Sequence, residues 1–186
     1  MSKQIISESI FKHIEVVKNI DKNLIQKASD ILISTIKSGN SIFWIGNGGS
    51  ASQANHLSAE LVGGMFKNKK SPFRSICLNT DTAFITAWSN DDTFDNIFTR
   101  QLEAIANPND LIIMLSTSGN SVNIINAAKY AANNKLKSIS LTGNDGGELK
   151  NLSNLNINIA DRSTQRIQEM HIIIGHIICE LAEKSL

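Results

Sequence analysis

Ser41-Ile42-Phe43-Trp44-Ile45-Gly46-Asn47-Gly48-Gly49-Ser50 carries the clearest signature of the fold. A short apolar run passes straight into a glycine-rich turn, and a helical pattern follows from Ala51 to Phe66. That order reads as a buried strand delivering its C-terminal end to the start of a helix. Glycines at such a turn let the backbone approach a ligand, while the new helix offers unpaired N–H groups and the positive end of its dipole to an anion. Gly46-x-Gly48-x-x-Ala51 also fits the loose dinucleotide fingerprint, which wants an acid at the end of the second strand. That strand ends Leu78-Asn79, and the nearest acid, Asp81, comes too late, so a nicotinamide cofactor is set aside.

Outward from this stretch, apolar residues recur at three- and four-residue spacing from Ile5 to Ile36, with a break at Asn19 to Lys22. The spacing predicts two helices, the second stopped by Gly39-Asn40. Strand-like runs follow at Ser75 to Leu78, Leu111 to Leu115, Lys137 to Leu141 and Leu155 to Ile159, separated by helical patterns or Gly/Asn-rich turns. The alternation predicts an α/β fold, a five-stranded parallel sheet sandwiched by helices, with its ligand site at the strand C-ends. Residues 1–186 read as a single domain. Residues 1–38 form an N-terminal helical segment outside the β-α alternation, and their apolar faces are expected to mediate oligomerisation.

Composition narrows the function. With 41% hydrophobic residues, 19% charged residues and two prolines, the chain is neither disordered nor of low complexity. Lys plus Arg at 18 against Asp plus Glu at 17 gives net charge +1, which leaves no cationic field for a nucleic acid, so none is expected as partner. Cys77 and Cys179 form no metal-spaced cluster and no disulfide framework, which points to a reducing compartment. The N-terminus lacks an apolar core of the signal-peptide kind. Gly175, His176 and Glu180 interrupt the apolar stretch Ile172 to Leu181, far short of the about 20 residues a membrane span needs. The chain is expected to be cytoplasmic and free of membranes. Phe66 to Arg74, with Lys67, Lys69 and Lys70, reads as a solvated loop.

Three further groups carry chemistry. Ser116-Thr117-Ser118-Gly119-Asn120-Ser121 joins the third strand to the helix from Val122, and four hydroxyls at one helix start can bind a phosphate without net positive charge. Helix capping is the plainer use of Ser and Thr there, but one or two would suffice for it. His56 and Glu60 stand four apart on one helix face, directly after the glycine loop. In the last helix Gln168, His171 and His176 lie in a run apolar enough to be buried, where a histidine needs a partner.

The strings GNGGSASQANHLSAEL, LSTSGNS and RIQEMHIIIGH, in this order, resemble the sugar-isomerase (SIS) domain family, and within it the phosphoheptose isomerases. The resemblance runs over nearly the whole chain. It implies conversion of D-sedoheptulose 7-phosphate to D-glycero-D-manno-heptose 7-phosphate, for nucleotide-activated heptose, by a zinc-containing homotetramer with active sites at subunit interfaces. It implies one zinc per subunit at His56, Glu60, Gln168 and His176, with proton transfer by Glu60 and His176. Asn47, Gly48 and Gly49 with Asn90, Asp91 and Gln168 would contact the sugar, and Ser116, Thr117, Ser118 and Ser121 the phosphate. A set containing Gln is a weak zinc site by side-chain type, which implies partial occupancy. Gln168 and His176, eight apart, lie roughly 12 Å apart along an ideal helix, so a shared metal calls for a bend, for which Gly175 is the candidate. Two other readings stand beside this one: a non-catalytic SIS protein that binds the replication initiator, which Thr142 to Leu149 with Arg162-Ser163 also resembles, and an isomerase of another sugar phosphate.

Overall fold

Two helices precede the sheet, as the spacing predicts. In the computed structural model, which describes residues 2–66 and 71–186, α1 runs over Ser2–Lys18 and α2 over Lys22–Lys37. The lysine-rich stretch 67–70 lies outside the described residues. Asp21 starts α2 by accepting from the N–H groups of Asn23 and Leu24. Gly39, at φ 73°, ends it: its N–H donates to the Ile36 carbonyl and that of Asn40 to the Thr35 carbonyl. The α2 stripe of Ile25, Ala28 and Leu32 enters the core, whereas α1 buries no residue and leaves Ile5, Ile6, Ile10, Phe11, Ile14 and Val17 exposed.

The sheet has five parallel strands in the order β2-β1-β3-β4-β5, with β1 Ile42–Gly46, β2 Ser75–Cys77, β3 Leu111–Ser116, β4 Lys137–Gly143 and β5 Leu155–Ile159. The central strands β1 and β3 are buried along their whole length, which is why they read as continuous apolar runs rather than alternations. Ile42 and Trp44 of β1 with Leu111, Ile113 and Leu115 of β3 face one layer, made by α2, α3 (Gly49–Gly63) and α8 (Thr164–Ser185). Phe43 and Ile45 with Ile112 and Met114 face the other, which includes α5 (Ile97–Ile105), α6 (Val122–Asn133) and the short α7 (Leu149–Leu152).

Between β2 and β3 the chain departs from a single crossover helix. It makes α4 (Thr82–Asp91), a 3₁₀ turn at Phe94–Asn96 and then α5. The break falls at Asp92-Thr93, where the Thr93 hydroxyl accepts from the Asp95 N–H and starts a new turn. β1 connects outward to β2 on one side while β3 lies on its other side, so the topological switch point falls between β1 and β3. A ligand crevice is expected at their carboxyl ends, where both loops singled out from the sequence emerge.

Candidate active site

The glycine loop is held from three directions. Gly46 approaches the first turn of α3 so closely that a Cβ would lie 2.5 Å from the Ser50 carbonyl carbon. Asn79, at the end of β2, clasps the same glycine, its Oδ1 accepting from the Gly46 N–H (3.2 Å) and its Nδ2 donating to the Gly46 carbonyl (2.8 Å). A dinucleotide fold would place a ribose-binding acid near this position; here an amide locks a peptide instead. Asn47 exchanges two amide hydrogen bonds with Asn123 in the first turn of α6, at 2.8 and 2.9 Å, and so ties the first loop to the second. Gly48 and Gly49 are exposed, Gly48 at φ 56°.

The hydroxyl loop is shaped but not consumed by its helix. Ser121 is the N-cap of α6, yet its side chain makes no capping hydrogen bond; its Oγ lies 3.3 Å from that of Ser116. Ser116 Oγ accepts from the Gly119 N–H, and Ser118 Oγ from that of Asn120. The Thr117 carbonyl accepts from Asn144 Nδ2, joining the loop to the end of β4. Gly119, at φ 66°, sits so close to Gly146 that a Cβ would overlap its carbonyl oxygen, so the loop packs backbone to backbone. Plain capping thus fails to account for Ser121, whose hydroxyl instead meets that of Ser116 at the start of α6.

Farther along α3, His56, Glu60 and His176 converge, one ligand atom from each lying within 4.8 Å of the others. The two Nε2 atoms are 2.8 Å apart with the rings edge to face, and Glu60 Oε1 lies 3.3 Å from His56 Nε2. Two imidazole nitrogens pointed at each other need either a shared proton or a shared cation. Two nitrogens and a carboxylate oxygen suit a borderline ion such as zinc, with a coordination position left for a small ligand. The donors fit the metal implied by the resemblance.

Glycine brings α3 and α8 together. A Cβ on Gly175 would lie 2.3 Å from Leu57 Cδ1, and Leu57 is fully buried. Gly175 therefore serves close approach, and α8 runs as one helix from Thr164 to Ser185 with no break at that residue. Gln168 lies elsewhere on α8: its carboxamide rests on Gly49, where a Cβ would be 2.7 Å from Nε2. Asn90 and Asp91 stand exposed at the end of α4, where Asn90 Nδ2 donates to Asp91 Oδ1. In Gly175→Ala the added methyl would meet an immobile side chain, so a loss of about 1–3 kcal/mol in urea unfolding is expected, as for an overpacked core.

His171 is fully buried, and its Nε2 donates to the Thr142 carbonyl at 3.0 Å, pinning α8 to β4. Burial lowers its pKa to about 4, the hydrogen bond to Thr142 opposing. Because the folded value lies below the usual 6.5, this stabilisation is complete above pH 6.5 and is lost as the pH falls towards 4. Between pH 7 and pH 5 the stability from His171 should fall by about 2 kcal/mol, and His171→Gln should flatten that part of the pH profile relative to wild type. Burial also pushes the Cys179 thiol up to about 12, with Glu60 and Glu183 adding to the effect, which makes it an inert core residue.

Comparison with known proteins shows the family. The SIS domain family model matches residues 7–143. The chain is 42% identical over 187 residues to the phosphoheptose isomerase of Aliarcobacter butzleri, covering 99% of this chain and 98% of that one. It is 40% identical to that of Aquifex aeolicus, covering 99% and 95%. The solved phosphoheptose isomerase structure from Neisseria gonorrhoeae matches with a TM-score of 0.93 at 30% identity over the whole of both chains. The one from Francisella tularensis matches with a TM-score of 0.94 at 30% identity over 99% of each. These relatives are isomerases, which answers the non-catalytic reading. The chain belongs to the SIS-domain family, within its phosphoheptose isomerases.

Proposed function

We propose that this isomerase converts D-sedoheptulose 7-phosphate to D-glycero-D-manno-heptose 7-phosphate, at the start of nucleotide-activated heptose synthesis. The observation that carries the reading is the convergence of His56, Glu60 and His176 in a fold whose two ligand-type loops meet at the sheet's switch point. Moving a carbonyl between C1 and C2 through an enediol needs a base that carries a proton between adjacent carbons and an acid that assists ring opening. Glu60 is the base and His176 the acid. His56, Glu60 and His176 would hold one zinc per subunit, which when bound supplies an electrophile for the developing oxyanion. The Ser116, Thr117, Ser118 and Ser121 loop takes the phosphate. Asn47, Gly48, Gly49, Asn90, Asp91 and Gln168 hold the sugar.

The proposed assembly is a homotetramer with sites shared between subunits. At 1.5 Å per residue, Glu60 lies about 16 Å along α3 from Gly49. That is farther than a cyclic heptose phosphate held at the hydroxyl loop of the same chain reaches with C1. A neighbouring copy would bring its own Glu60 to the loop, and Gln168 would join the zinc ligands there. The exposed apolar residues of α1 give that contact a surface. No helix among the described residues is long and apolar enough to cross a membrane.

The test is an assay of zinc-loaded protein on sedoheptulose 7-phosphate beside pentose and hexose phosphates. Aldose formation with the highest kcat/KM for the heptose is expected. A higher value for a shorter sugar phosphate would move the protein to the other isomerase reading.

A further inference from the structure

We propose that Gln53 is a positioning residue for Gln168, locking α8 onto α3 so that the Gln168 carboxamide stays over the glycine loop. Gln53 lies in the second turn of α3, and its Nε2 donates to the Gln168 main-chain carbonyl at 2.6 Å, across 115 residues of sequence. At the same level the Gln168 carboxamide is packed directly on Gly49, with no room for a Cβ between them. One turn farther along α3, Leu57 meets Gly175 of α8. The two helices also meet where His56 faces His176 and where Cys179 Sγ donates to the Leu57 carbonyl. Of these ties, the Gln53 hydrogen bond alone ends on Gln168 itself.

The chemistry of Gln53 argues against a mere filler. Its Oε1 is buried with no hydrogen-bond partner, and an unpaired buried amide oxygen costs free energy that an aliphatic side chain of equal length would not. What the amide retains in exchange is a donor aimed at one carbonyl. That carbonyl belongs to an α-helix, so holding it sets the rotation and approach of α8 where the Gln168 side chain departs. Gln53 touches no reacting atom and acts through Gln168. The inference rests on the reading above that Gln168 faces the sugar.

The test is a double-mutant cycle on the zinc-loaded enzyme with sedoheptulose 7-phosphate, using Gln53→Met, Gln168→Ala and both together, with thermal unfolding measured in parallel. Met keeps the length of the side chain and loses the N–H donor; Gln53→Leu removes the donor by a second route. Gln53→Met should raise KM about tenfold, the lower end of the usual cost of removing a supporting partner, with kcat changing less and the melting temperature kept. In the Gln168→Ala background the same substitution should add nothing. Equal losses in both backgrounds would overturn the proposal, as would an unchanged KM in both Gln53 variants. A Gln168→Ala enzyme with wild-type KM would instead overturn the assignment of Gln168 to the sugar, and the positioning role with it.

Discussion

Glu60→Gln is expected to lower kcat by at least about 10²-fold while the fold and the affinity for sugar phosphate survive, the usual scale for losing a general base. The glutamine keeps the shape of the side chain and its reach towards His56, now 3.3 Å from Oε1, but it cannot accept a proton. Glu60 is half-buried at the surface of α3 and carries no core packing, so circular dichroism and thermal unfolding should be close to wild type. His176→Asn should produce a loss of the same order, because the imidazole meets His56 at 2.8 Å and is the acid of the proposed mechanism. A near wild-type rate in either variant would show that residue to be structural. Adding excess zinc to the assay distinguishes a lost base, which the metal cannot restore, from a weakened metal site, which it can.

The second large effect is expected at the hydroxyl loop. Ser118→Ala combined with Ser121→Ala removes two donors from a site with no net charge to compensate. At about 1.5–3 kcal/mol for each hydrogen bond to a charged group, the pair should lower kcat/KM by about 10²- to 10⁴-fold. Part of the loss should appear in kcat, since phosphate binding energy can be used to hold the reacting carbons against the base. Ser121 makes no capping bond to α6, so the helix should not weaken in the variant. The companion measurement compares sedoheptulose with its 7-phosphate on the wild-type protein. Equal kcat/KM for the two would leave the loop a structural turn.

The features legible in the sequence are those set by local chemistry. β1 and β3, buried on both faces, leave uninterrupted apolar runs, and Gly39 ends α2 by a backbone conformation that glycine adopts without strain. His56 and Glu60 are four apart on one helix, so their shared face follows from helix geometry alone. The rest depends on contacts between distant segments. Nothing local announces that Asn47 pairs with Asn123, 76 residues on, or that Asn79 clasps Gly46. Gly175 looks like a hinge in an apolar helix, and only the position of Leu57 shows that it is a close approach. The split of the second crossover into α4 and α5 turns on a single threonine cap at Thr93, a signal too short to stand out. Gln168 sits in a recognisable string, but its neighbour Gly49 belongs to the other end of the chain.

The most direct test of proton transfer at Glu60 is isomerisation of sedoheptulose 7-phosphate by the zinc-loaded enzyme in D₂O, with the aldose product analysed by NMR. An enediol formed and quenched by a carboxylate that exchanges with solvent places deuterium at C2 of the aldose. That label is expected in the wild-type product, and in Glu60→Gln it should be lost along with turnover. An aldose carrying only protium at C2, its hydrogen delivered whole from C1, or no aldose at all, would contradict it.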